Sequence, residues 1–175
     1  SHSVDIFNSF SKISNEKKFI IGLNKDGCRP SGYQKKCHYL NTLKFIELYS
    51  NNIEYIFFTH KGSYFLTNTG KKKDRGNSKF RKLPLDEMQI KNTIKYLNQI
   101  KKLKDEIIFI GPHLEPNIQL NRRNVTKILK SKNIKDNVNY DLIKVDLELM
   151  EITKKNEIIY VSKIDTIKFD IKKDF

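Results

Sequence analysis

The feature that most restricts the fold is an alternation between short, continuously apolar runs and longer segments of helical apolar period. The runs near Phe19–Leu23, Tyr55–Phe58 and Ile107–Ile110 are strand-sized and show no polar alternation. A strand that is apolar on both faces has to be covered on both, as in a parallel sheet clothed by helices. The spacing of Val4, Ile6, Phe7, Phe10 and Ile13 predicts a helix over 3–14. Leu40, Leu43, Phe45, Ile46 and Leu48 predict a second over 39–50. Met88, Ile90, Ile94, Leu97 and Ile100 predict a third within 85–103, with these five facing inward. Asp86 and Glu87 sit in its first turn, where carboxylates suit the helix dipole. A short helix over 119–131 and another over 139–154, carrying Leu142, Val145, Leu149 and Ile152, complete the set. Strands are expected over 18–23, 53–59, 106–110 and 157–162. The expected fold is one α/β domain over residues 1–175. It has three layers, a flavodoxin-like parallel sheet with helices on both faces. It is expected to be incomplete at both ends, because the chain opens on a helix with no strand before it and ends soon after a strand.

Two connections stand out. Residues 24–36 hold Gly27, Pro30 and Gly32 and read as a loop. The long polar stretch His60–Pro84, with Lys71-Lys72-Lys73 and three glycines, reads as a mobile loop. A chain of 175 residues can bury one sizeable core. No apolar run approaches the roughly 18 residues that cross a membrane, and no signal peptide is visible. Work outside the cytoplasm would therefore need an upstream segment.

The net charge of +14 invites an anionic partner. Yet only five of the 34 basic residues are Arg, and the chain lacks Ala and Trp while Lys, Asn and Ile abound. That skew fits codon choice in an A+T-rich genome. Nucleic-acid readers favour Arg for bidentate contacts, and none of their motifs is present, so no nucleic-acid partner is expected. The four His residues are scattered (His2, His38, His60, His113), no zinc spacing occurs and no Gly-rich phosphate loop is present. Neither a metal nor a cofactor is expected. Cys28 and Cys37, nine residues apart in a loop that can turn, have the reach of a small disulfide ring, with buried free thiols as the alternative.

In open α/β sheets ligands bind at the carboxyl ends of the strands. Here those ends fall at 24–37, 60–64, 111–116 and 162–166. At these places the chain resembles the SGNH-hydrolase domains fused to acyltransferase family 3 membrane proteins. Ser1-His2-Ser3 before an apolar helix is similar to the tail of their Gly-Asp-Ser-His block. Gly27-Cys28-Arg29-Pro30 resembles the block with the oxyanion glycine. Ile107–Pro116, reading IIFIGPHLEP, is similar to their strand followed by Gly-Pro and Pro-Glu. Ile158–Thr166, reading IIYVSKIDT, is similar to the strand before the final catalytic block. The resemblance runs along nearly the whole chain.

The resemblance implies a serine O-acyltransferase or esterase acting on O-acyl groups, such as acetyl, of cell-surface glycans. Ser1 is then the nucleophile, and an Asp-x-x-His pair near the C-terminus activates it. Backbone N–H groups beside Ser1 and at Gly27 form the oxyanion hole. The partners implied are an acyl donor, which a membrane acyltransferase domain of the same polypeptide can supply, and a glycan acceptor. The setting is bacterial, periplasmic or otherwise extracytoplasmic, and membrane-tethered through the parent protein. That oxidising compartment favours a Cys28–Cys37 bond. Four departures matter. The Gly-Asp before Ser1 is absent, the Gly-x-Asn-Asp block is replaced by Thr59-His60-Lys61-Gly62-Ser63-Tyr64, no Asp-x-x-His occurs in the chain, and the two Cys often found after the last strand are replaced by residues such as Lys168 and Phe169. His60 and Tyr64 are therefore expected to line the substrate site, with the third oxyanion donor unassigned. The segment by itself is expected to be inactive. A catalytically silent glycan-binding domain serving a membrane acyltransferase is the alternative, and a basic nucleic-acid-binding module the less favoured third.

Overall fold

The computed structural model describes residues 2–13, 20–23, 37–67, 83–114 and 139–166. Within them lie five helices, α1 (His2–Ile13), α2 (Tyr39–Tyr49), α3 (Glu87–Leu103), α4 (Asp141–Lys155) and the short α5 (Lys163–Thr166). Three strands accompany them, β1 (Ile56–Thr59), β2 (Ile107–Ile110) and β3 (Ile159–Val161). The strands form one parallel sheet in the order β1-β2-β3. The molecule is thus a mixed α/β fold with a small parallel sheet, as the uninterrupted apolar runs require.

The register puts Ile56 beside Ile107 and Phe58 beside Phe109, with Phe109 beside Tyr160. These side chains share one face. Rings meet edge to face across it, Phe58 to Phe109 at 5.2 Å and Phe109 to Tyr160 at 5.5 Å. Helices α2, α3 and α4 cover this face, and Ile46, Ile94, Leu97, Ile100, Leu142, Val145 and Leu149 close the core against Ile107 and Phe109. Strands that advance in one direction through right-handed crossovers put α3 and α4 on the same side. Phe57 points the other way and meets Phe10 of α1 at 4.4 Å. Helix α1 therefore lies on the opposite face from α3, whose Tyr96 ring meets Phe58.

Four expectations change in detail. Residues 20–23 form no strand; Ile21 and Leu23 are exposed, and Gly22 lies against the Phe7 ring of α1. An apolar run becomes a strand only where a neighbour takes its backbone hydrogen bonds, and none does so here among the described residues. Residues 18 and 19 lie outside them. In α3, Met88 is exposed, while Gln89 and Thr93 are buried. Met88 stands two residues, about 200°, from Ile90 on the helical wheel, so the inward stripe runs Gln89, Ile90, Thr93, Ile94, Tyr96, Leu97, Ile100. Asp86 is the N-cap and accepts the Gln89 N–H at 2.9 Å, which satisfies an orphan donor of the first turn. The stretch His60–Pro84 is not wholly a loose loop. Gly62–Phe65 form a 3-10 turn, Phe65 is completely buried, and Leu66 bridges Leu85. The expected helix over 119–131 lies outside the described residues.

Candidate functional site

The carboxyl edge of the sheet is built from one residue at the end of each strand. His60, Gly111 and Ser162 directly follow β1, β2 and β3, and the Gly111 N–H extends the ladder by donating to the Val161 carbonyl at 2.8 Å. Two inter-strand steps of about 4.8 Å separate the first from the third. Helices that return to the amino edge start here, so the N-termini of α3 and α4 share this rim, with Tyr39 opening α2.

At the β1 end, His60 is 8 % exposed and held among rings: Tyr64 at 5.1 Å, Phe65 at 5.6 Å and Phe58 at 6.2 Å, all edge to face. Its Nδ1 accepts the Lys61 N–H at 2.9 Å, which assigns the proton of the neutral ring to Nε2. Tyr64, half-buried, sits on the 3-10 turn above it. Burial and then the neighbouring Tyr64 push the Tyr39 hydroxyl up to about 12. Tyr39 meets Tyr96 edge to face at 4.9 Å, and burial also raises Tyr96.

At the β2 and β3 ends a second cluster forms that the sequence reading did not single out. Asp146 of α4 is 3 % exposed. Its Oδ1 accepts from the Tyr160 hydroxyl at 2.5 Å and its Oδ2 from Ser162 Oγ at 2.6 Å. Ser162 Oγ in turn accepts the Asp165 N–H at 3.0 Å and so caps α5. Gly111 makes room for this: a Cβ there would stand 2.6 Å from Asp146 Oδ1 and overlap the Tyr160 hydroxyl. Burial, then the hydrogen bond to Asp146, then its charge raise the Tyr160 hydroxyl well above the ordinary tyrosine value. Chemically, the cluster is a carboxylate with two short hydroxyl donors, and its main effect is to lock the turn after β3 onto α4.

Of the residues singled out from sequence, the structure brings His60 and Tyr64 together. His60 forms the floor of the edge and Tyr64 lies nearer the surface. Ser1, Gly27 and Cys28 lie outside the described residues. Cys37, just before α2, is disulfide-bonded. Among the described residues no group of three or more potential ligands is placed to hold a metal, and no helix is long and apolar enough to cross a membrane. These residues carry 12 Lys against 13 Asp and Glu, so the basic excess resides in the rest of the sequence. The signal for Asp146 was present: it is an acid on the stripe Leu142, Val145, Leu149. A buried carboxylate there needs donors, and the hydroxyls of the last strand supply them.

Comparison with protein-family models, with curated proteins and with solved structures finds no match.

The tyrosines give a pH prediction. Tyr39 loses its proton at about 12 in the fold, against about 10 in an unfolded chain. Below pH 10 both states keep the proton, and the stabilisation is fully present. As pH rises from 10 through 12 the unfolded chain ionises first, so stability falls. Tyr96 and Tyr160 act in the same direction. Phenolate absorbance should therefore rise in two stages, the second coinciding with loss of the fold. Titration of all eight tyrosines near pH 10 in the intact fold would contradict this.

Proposed function

We propose that the chain is an SGNH-type domain of an O-acyltransferase or esterase that acts on O-acyl groups of cell-surface glycans through Ser1. The observation that carries the reading is the division of the helices. Phe58 faces α3 and Phe57 faces α1, so the helix that follows Ser1 lies on the opposite side of the parallel sheet from α2, α3 and α4. A doubly wound sheet has this layout, and its ligands lie at the carboxyl ends of the strands. In this reading Ser1 Oγ attacks the ester carbonyl while a His base takes its proton. The oxyanion is met by backbone N–H groups at the start of α1 and at Gly27, and the alcohol leaves with the proton from His. His60 and Tyr64 shape the wall that receives the sugar, with Tyr64 offering a ring face for stacking. The parent protein works outside the cytoplasm and is tethered to the membrane.

A second reading, a silent glycan-binding domain, rests on a specific observation. His60 takes a backbone N–H at Nδ1 and is wrapped by three rings, an arrangement that gives the carboxyl edge a fixed shape and that glycan binding alone can use. The product of the whole gene separates the two. Release of acetate from an O-acetylated glycan, or acetyl transfer to a glycan acceptor, supports the enzyme. Saturable glycan binding with no turnover supports the binding domain, and neither result sinks both.

A further inference from the structure

Helix α4 carries two apolar faces. One, Leu142, Val145 and Leu149, is fully buried. The other begins at Tyr140, just before the helix, and continues through Ile143, Leu147 and Met150, which are 49 %, 38 %, 50 % and 38 % exposed. Single exposed apolar residues are ordinary; four in one line are not. Their spacing of three, four and three residues is that of a helix-pairing seam.

We infer that this seam pairs with the same seam of a second copy, antiparallel and about a two-fold axis level with Val145. The spacing is self-complementary: an axis there sets Tyr140 against Met150 of the copy and Ile143 against Leu147 of the copy. A two-fold interface requires this property of a single patch. The rim agrees. Lys144 and Glu151 each follow a seam residue and are exposed. Helical side chains lean towards their own N-terminus, so in the antiparallel pair Lys144 leans towards Glu151 of the copy at both ends. Within one chain Lys144 lies 3.7 Å from Asp141, and Glu151 lies 3.9 Å from Lys155, so each pair becomes part of a wider charged rim. Four side chains per copy make a small interface, below the roughly 1,000 Å² of stable dimers. The association is accordingly a weak one, filling in the high micromolar range.

Sedimentation of the full chain tests this. The average mass should climb from one chain towards two as concentration rises to about 500 μM. Leu147→Glu should remove the climb and leave the thermal midpoint unchanged. Lys144→Glu should weaken association about tenfold, and adding Glu151→Lys should restore it, a rescue that only a contact between copies produces. A chain that stays monomeric throughout overturns the inference. So does a Leu147→Glu variant that associates like the parent or melts earlier, since early melting means the stripe is covered within one chain. Failure of the double variant to recover overturns the antiparallel geometry.

Discussion

Phe109→Ala is expected to lower stability by about 3–5 kcal/mol, the range for removing a large buried ring whose cavity cannot collapse. Phe109 lies in the central strand and has no exposed surface. Its ring meets Phe58 of β1 and Tyr160 of β3, so its loss removes the side-chain contact that joins all three strands. Neighbouring elements give little scope for filling the gap, because Leu97, Ile100, Val145 and Leu149 are themselves fully or almost fully buried. Phe57 supplies the control. It lies on the other face and is 42 % exposed, so Phe57→Ala should cost about 1 kcal/mol. Urea titration of both variants measures the difference, and equal costs would mean the core does not lie on the Phe58–Phe109–Tyr160 face.

Asp146→Ala is the second large effect, about 3 kcal/mol, because it strands the hydroxyls of Tyr160 and Ser162 in a buried site. Asp146→Asn keeps an acceptor and should cost about half as much. Tyr160→Phe removes one donor and should cost about 1–2 kcal/mol. Since the groups act as one network, Asp146→Ala combined with Tyr160→Phe should fall short of the sum by about 1 kcal/mol. Strict additivity in denaturant titrations would show that the carboxylate and the phenol do not depend on each other.

The sheet and its main helices were legible because runs such as IFFT in β1 and IIFI in β2 are apolar on both faces, which few folds other than a layered parallel sheet tolerate. α3 and α4 were legible from period alone. What failed depended on partners that lie far off in sequence. The run at 20–23 has the composition of a strand, but pairing decides strands, and composition does not report pairing. Phe65 is wholly buried within a polar stretch because a single 3-10 turn and the Leu66–Leu85 bridge fold it inward. Gln89 and Thr93 took inward positions that hydropathy assigned to Met88, since polar side chains can line a core when they bond within their own helix, as Gln89 does to Thr93 at 3.4 Å. A substituted motif pointed at His60 and Tyr64, and the structure places the two rings together at the end of β1. Asp146 was passed over because its two partners, Tyr160 and Ser162, arrive from a strand 14 and 16 residues later.

The most direct measurement is acetyl-ester turnover by the product of the whole gene, with and without Ser1→Ala. An unactivated hydroxyl is a poor nucleophile, and removing it from an acyl-transfer site should lower turnover by a factor on the order of 10³ or more while glycan binding persists. Turnover that survives Ser1→Ala unchanged would contradict the assignment of the nucleophile and with it the account of the site.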